Sequence, residues 1–324
     1  MNKMKTVAII GAGQLGSRHL QALAQLNEPV NIQVIDPNET SLSTARNRFD
    51  EVGTAYKGTI TYATKLDQLN DQLEVVVIAT GSDVRKNILV TLLNTKQVKY
   101  LVLEKFLFYK PEEYVIVAEL LKEKKVKAWV NCPRRMVDFY KTIKSKLTGN
   151  ITLNVIGNSW GLASNGIHIL DLFTFLNNSP SFLITDCLLE ETQSKRLGYI
   201  EFSGTIRGKG ANNSTFELVS YTNGASPSVV SVYDSNNRYI IHEGQPVSTV
   251  WYSGIENEWK WENLTFDFPR QSQMTHLVVS DLMNKGECEL TPYSESASMH
   301  LTFLENLIDF LKVVDPQVKE CQIT

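Results

Sequence analysis

The chain has 324 residues, 43% hydrophobic and 21% charged, which is ordinary for a globular protein and enough for about two domains. Lys plus Arg number 32 and Asp plus Glu 35, a formal charge of −3, so the overall field suits neither nucleic acid nor an anionic membrane, and neither is expected as a partner. Four scattered cysteines (Cys132, Cys187, Cys288, Cys321) make no CxxC pair and no metal-ligand spacing, which fits free thiols in a reducing cytosol and predicts no metal site.

The first apolar run, Thr6–Ile10, is too short for a signal peptide and runs straight into Gly11-Ala12-Gly13-Gln14, so it reads as a strand. No stretch approaches the roughly 20 apolar residues of a membrane helix, and a cytoplasmic protein is expected. Further strands are predicted at Asn31–Ile35, Glu74–Thr80, Tyr100–Leu103 and Val126–Val130, with a weaker one at Thr59–Ala63. These runs are apolar almost throughout, the mark of a parallel sheet covered on both faces. Helical spacing lies between them at Leu15–Leu26, Val84–Leu93 and Glu112–Lys124, where Pro111 signals a start. Lys141–Lys146 reads as the crossing between domains. Beyond residue 150 a helix at Asn165–Asn177 precedes alternating strands at Phe182–Glu190, Gly198–Arg207, Ser214–Tyr221, Val229–Tyr233, Tyr239–His242, Ser248–Tyr252 and Trp259–Phe266. Helices near Ser272–Asn284 and Ser294–Val313 close the chain. The fold class is therefore α/β: a doubly wound parallel sheet over residues 1–130, then an α+β domain over 131–324 with an open, largely antiparallel sheet. The uncovered face of that second sheet predicts a homo-oligomer.

Gly11-Ala12-Gly13-Gln14-Leu15-Gly16 matches GxGxxG between a predicted strand and a predicted helix. The first glycine permits the tight turn, the second the close approach of a pyrophosphate, the third helix–strand packing. The helix N-terminus then offers N–H groups and positive charge to phosphate. Asp36 ends the second strand 20 residues past Gly16, placed to accept ribose hydroxyls and to repel a 2′-phosphate, so NAD is expected over NADP. Arg46 and Arg48 lie further along the next helix and are expected to face solvent.

Chemistry is expected at the carboxyl ends of the parallel strands, where Glu104-Lys105 stands. An amine there, its proton affinity lowered by desolvation and a nicotinamide ring, could exchange a proton with a carbinol oxygen. His168 and Asp171 lie at i and i+3 on one helix face, so the carboxylate could fix the imidazole tautomer. Arg134-Arg135 follow a strand end and could hold an anionic group of a substrate. His19, His242, His276 and His300 show no such setting.

Taken in order, these residues resemble the glucose-fructose oxidoreductase/inositol dehydrogenase (Gfo/Idh/MocA) family over nearly the whole chain. The resemblance rests on Gly11–Gly16 with Ser17-Arg18-His19, on Val75–Thr80, on Glu104-Lys105 against a Glu-Lys-Pro motif, and on Asn131 with Arg134-Arg135. It also rests on Gly166-Ile167-His168-Ile169-Leu170-Asp171 against Asp-x-Gly-x-His-x-x-Asp, and on Leu290-Thr291-Pro292 before a helix. The resemblance implies a Rossmann domain, a bound nicotinamide cofactor, and oxidation or reduction of a sugar or polyol hydroxyl. Lys105 matches the catalytic lysine and His168 the catalytic histidine. Gly11, Gly13, Gln14, Leu15, Gly16, Asp36, Thr80 and Glu104 are the expected cofactor contacts, and Arg134, Ser164, Asn165 and Asp171 the expected substrate contacts. The chain departs from the family where Phe106 replaces the proline, Ser164 the aspartate, Arg85 a common histidine and Gly81 a proline. Two accounts follow. Lys105 and His168 suffice, with Ser164 or Asn165 binding a substrate hydroxyl, or the chain binds a dinucleotide as a sensor without catalysis.

Overall fold

A computed structural model describes residues 4–244 and 246–324. The chain runs β1 (Thr6–Ile10), α1 (Gln14–Leu23), β2 (Asn31–Ile35), α2 (Glu39–Asp50), β3 (Thr59–Ala63), β4 (Gln72–Ile78), α3 (Ser82–Thr95), β5 (Gln97–Leu103), α4 (Pro111–Lys124) and β6 (Lys127–Val130). It continues through α5 (Asp138–Lys146), β7 (Thr152–Asn158), α6 (Leu162–Asn177), β8 (Phe182–Gln193), β9 (Ile200–Gly210), β10 (Thr215–Tyr221) and β11 (Val229–Tyr233). It closes with β12 (Asn237–His242), β13 (Ser248–Gly254), β14 (Glu262–Phe266), α7 (Thr275–Lys285), β15 (Thr291–Pro292) and α8 (Tyr293–Lys312).

Two compact units emerge. The first holds residues up to Phe108, then Glu112–Asn131 and Pro269–Ser294; the second holds Tyr109–Pro111, Cys132–Phe268 and Glu295–Thr324. A single cut after residue 130 does not anticipate the return of Pro269–Ser294 to the first unit. Its physical basis is visible in β15, which adds antiparallel to β6 through Thr291↔Val130, and in α7, which packs on α1.

In the first unit the strands lie in the order β15-β6-β5-β4-β1-β2-β3, all parallel except β15. Strand order reverses between β1 and β4, which opens a crevice at their carboxyl ends. Val7, Ala8, Ile9 and Ile10 are at most 3% exposed, as a strand covered on both faces requires, and each large side chain so buried contributes about 1.5–3 kcal/mol. Helix α2 starts where the Asn38 side chain accepts from the N–H groups of Thr40 and Ser41. Helix α4 carries Glu112 and Glu113 in its first turn and Lys122 and Lys124 in its last, matching the helix dipole.

The second unit's sheet is β14-β13-β12-β11-β7-β10-β9-β8, antiparallel throughout except for the β7–β10 pair. Helix α6 packs on β9 and β10, and on it Gly166 makes room for the Phe303 ring of α8, since a Cβ there would sit 3.0 Å from that ring. The segment read as a crossing at Lys141–Lys146 is instead the end of α5. Tyr140 and Ile143, three residues apart, share its buried face, and Asp138 and Lys146 complement its two ends. No helix among the described residues is long and apolar enough to cross a membrane.

Candidate functional site

In the first unit the fingerprint turn separates glycines that the fold needs from one that it does not. Gly11 has φ +91°, and a Cβ there would lie 2.9 Å from both the Ala79 carbonyl carbon and Thr80 Cγ2. A Cβ on Gly16 would stand 1.7 Å from the Gly11 oxygen. Around Gly13 nothing among the described residues lies within 4 Å of that position, so bare backbone faces open space at the start of α1, where no side chain caps the helix. Uncapped N–H groups at the positive end of a helix are suited to phosphate. Gln14 and Leu15 form the first residues of that helix.

Asp36, just beyond β2, is pinned beside this turn. Its Oδ2 accepts from the Ala12 N–H at 2.7 Å and its Oδ1 from the Asn38 N–H at 2.8 Å, which leaves lone pairs on both oxygens for hydroxyl donors. Thr80, beyond β4, is packed against Gly11, and its buried hydroxyl has no hydrogen-bond partner among the described residues. An unsatisfied buried hydroxyl, a bare helix start and a pinned carboxylate fit the phosphates and ribose of a dinucleotide. Arg48 departs from the expectation that it faces solvent. It donates to the Gln14 carbonyl at 3.2 Å, to Gln14 Oε1 at 2.7 Å and to Ser17 Oγ, because helical side chains lean toward the N-terminus and α2 packs on α1. Arg46 is exposed, its guanidinium over the Tyr62 ring at 4.6 Å.

At the end of β5 the two neighbours Glu104 and Lys105 part. Glu104 is 2% exposed, and its Oε1 accepts from His19 Nε2 at 2.8 Å and from Asn131 Nδ2. The carboxylate expected to touch a cofactor is thus engaged inside the unit, because adjacent side chains leave a strand on opposite faces. Burial pushes its carboxyl upward, yet the bonds from His19 and Asn131 hold it below the ordinary carboxylate range. Lys105 is half-buried, while Leu103, Glu104, Phe106, Leu107 and Phe108 around it are all buried. The Lys105–Phe106 peptide is cis. Arg85, 1% exposed on α3, donates to the carbonyls of Thr80, Phe106 and Leu107 and so ties the turn after β4 to the segment after Lys105.

In the second unit His168 is half-buried on α6. Both oxygens of Asp171 accept from Arg135, at 2.8 and 3.0 Å, a bidentate arginine pair. Arg134, expected to hold a substrate anion, is likewise paired with Glu243 at 2.6 and 2.9 Å. Burial opposes its charge and Glu243 more than restores it. The Tyr140 hydroxyl shares that carboxylate, and burial raises Tyr140 well above the ordinary phenol range. Ser164 donates its hydroxyl proton to Glu201 Oε2 at 2.6 Å, and Glu201 Oε1 accepts from the Ala163 N–H at 2.6 Å. A carboxylate from β9 therefore caps α6 beside Ser164. Asn165 is exposed, its amide donating to the Trp160 carbonyl.

Sequence reasoning missed Glu201 and the contacts made by His19, Arg85 and Arg48. His19 lies 85 residues from Glu104 and Ser164 lies 37 from Glu201, distances at which spacing carries no signal. For His19 one cue existed, its place in Ser17-Arg18-His19 right after the fingerprint. Among the described residues no group of three or more His, Cys, Asp or Glu could hold a metal.

Residues 5–132 match the GFO_IDH_MocA model, an oxidoreductase family with an NAD-binding Rossmann fold. No curated protein matches the chain. Among solved structures it is similar to UDP-N-acetylglucosamine 3-dehydrogenase GnnA from Acidithiobacillus ferrooxidans, at TM-score 0.69 and 11% identity over 94% of this chain and 96% of that one. It is similar to KijD10, a 3-ketoreductase from Actinomadura kijaniata in complex with NADP, at TM-score 0.67 and 14% identity over 94% and 96% of the two chains. A third likeness is to a super-repressor mutant of Gal80p from Saccharomyces cerevisiae, at TM-score 0.69 and 14% identity over 95% of each. At such identities these are likenesses of fold.

Proposed function

We propose that the chain, whose residues 5–132 match the model of an oxidoreductase family with an NAD-binding Rossmann fold, is a Gfo/Idh/MocA oxidoreductase that moves a hydride between a nicotinamide cofactor and a hydroxyl or keto carbon of a sugar, sugar derivative or nucleotide sugar. The observation that carries this reading is the bare backbone at Gly13 beside the pinned carboxylate of Asp36. Gly11, Gly13, Gln14, Leu15 and Gly16 would hold the pyrophosphate, Asp36 the ribose hydroxyls, and the Thr80 hydroxyl a further cofactor atom. Asp36 favours NAD, because its charge opposes a 2′-phosphate. The nicotinamide, when bound, supplies or takes the hydride.

Lys105 exchanges the proton of the reacting oxygen and His168 assists. Ser164, its hydroxyl hydrogen-bonded to Glu201 as donor, presents lone pairs to a substrate hydroxyl, and Asn165 offers a second polar contact. Arg134 and Asp171 support the site through their pairs with Glu243 and Arg135 rather than by holding substrate. The likenesses to a 3-dehydrogenase of a nucleotide sugar and to a 3-ketoreductase support a sugar-type substrate. A cytoplasmic homo-oligomer, formed through the open face of the second unit's sheet, completes the proposal.

A second reading, a non-catalytic dinucleotide-binding regulator, rests on Ser164, whose hydroxyl does not titrate near neutral pH. A hydride-transfer assay over a panel of sugars and nucleotide sugars separates the two. The enzyme reading expects turnover that falls at least about a hundredfold in Lys105→Ala and in His168→Ala. Cofactor binding with no change in nicotinamide absorbance on any sugar favours the regulator. Variants that turn over like wild type overturn both residue roles.

A further inference from the structure

Glu104 stands where a ring of hydrogen bonds closes. The Asn131 amide donates to Gln271 Oε1 at 2.8 Å, and the Gln271 amide to Thr275 Oγ1 at 2.9 Å. The Thr275 hydroxyl meets His19 Nδ1 at 2.8 Å, and His19 Nε2 meets Glu104 Oε1 at 2.8 Å. Asn131 closes the ring by donating to the same carboxylate oxygen. The Gln271 amide also lies 3.3 Å from His19 Nδ1. The ring ends on the Glu104 carboxylate, which His19 and Asn131 hold in its ionised form. All five residues are in the first unit and come from four stretches of the chain, Gln271 and Thr275 being four residues apart.

Lys105 follows directly, the one residue of 103–108 that is not buried. Near the far end of that segment the Tyr114 hydroxyl donates to the Phe108 carbonyl and feels the charges of Arg85 and Glu113. On the faces packed against Glu104, His19 comes from α1, while Asn131 and Gln271 carry no charge; Arg85 comes from α3 and donates to the Phe106 and Leu107 carbonyls. A cation at Arg85 disfavours a second cation nearby, whereas an anion at Glu104 favours it. The attraction is mutual: the Lys105 charge is among the influences that keep Glu104 ionised.

We infer that Glu104 is a positioning residue for Lys105, an anion immobilised by His19 and Asn131 that keeps the adjacent amine as an ammonium and so fits the enzyme for carbonyl reduction. The inference rests on the proton-transfer role given to Lys105 above. In the step it favours, a hydride from the reduced nicotinamide cofactor forms the new C–H bond at the carbonyl carbon. The C=O π pair takes a proton from Lys105 Nζ, leaving an alcohol, the oxidised cofactor and a neutral amine.

The test needs no substrate. Wild type and Glu104→Gln, both without nucleotide, are acylated with trace acetic anhydride across a pH series, and Lys105 and the exposed Lys209 are read by peptide mass spectrometry. Loss of the anion is expected to lower the Lys105 midpoint by about one pH unit, raising its reactivity about tenfold at a fixed pH below the midpoint, with Lys209 unchanged. An unchanged Lys105 midpoint overturns the inference. If Glu104→Gln does not fold, wild type alone decides: a Lys105 midpoint at or above that of Lys209 supports the fixed anion, and one clearly below it overturns the inference. Loss of activity in Lys105→Ala together with an unmoved midpoint would spare the catalytic assignment and remove only this one.

Discussion

At the scale of single residues, the strand-end pair Glu104-Lys105 was legible as a place where chemistry could gather, and so was the fact that its two side chains must diverge. The partner of Glu104 was not, because a buried carboxylate chooses its donors in space. The place of Asp36 beside the glycine turn was legible for the opposite reason: it follows from a strand end and a fixed interval from the glycines. The ring around Glu104 also predicts how stability responds to pH. Its carboxyl is held below the ordinary value of 4.5, so its ionised form favours the folded state; the gain is complete above that value and lost as pH falls through and beneath it. Glu104→Gln should therefore cost roughly 2 kcal/mol near neutral pH, the order expected for hydrogen bonds to a buried charge. Thermal melts should show the gap between variant and wild type closing as pH drops below about 4.5. A gap of constant size across that range would mean that the charge contributes nothing.

At the scale of elements, β1, β2, β3 and β11 have the limits that their apolar runs predict, because a strand covered on both faces, or alternating cleanly, writes its period into the sequence. Helix starts were harder. Helix α6 begins at Leu162 rather than at Asn165, since Gly161 at φ +82° lets the chain turn earlier and Glu201, far along the sequence, caps it. The α5 helix was obscured by its lysines, and β15 by having only two residues. Helix α1 offers a sharper test through its two unlike glycines. Gly13→Ala has room for its Cβ in the folded chain and a φ of −62° that alanine adopts, so its melting temperature should stay within about 2 °C of wild type, while NAD+ affinity falls at least about tenfold, or about 1.4 kcal/mol. Gly16→Ala drives a methyl onto the Gly11 oxygen and should lower the melting temperature itself. Calorimetry and melting curves on the same samples check both, and full NAD+ affinity in Gly13→Ala would refute the close approach.

At the scale of the whole molecule, the order of folds was legible, a parallel sheet first and an antiparallel one after it, but the return of Pro269–Ser294 to the first unit was not. Helix α7 looks like any amphipathic helix, and nothing in its own residues names the unit it covers. The second sheet leaves Ile156, Leu188, Tyr221 and Trp251 on one face, each more than 40% exposed, which is the basis of the proposed oligomer. Light scattering should find wild type larger than one 36.6 kDa chain and the Ile156→Asp/Trp251→Lys variant reduced to that mass; a monomeric wild type contradicts the proposal. The account as a whole depends most on the dinucleotide at the turn Gly11–Gly16, and isothermal calorimetry on nucleotide-stripped protein tests it most directly. The expected result is uptake of one NAD+ per chain, bound more tightly than NADP+ and weakened in Asp36→Asn; no uptake of either coenzyme would contradict it.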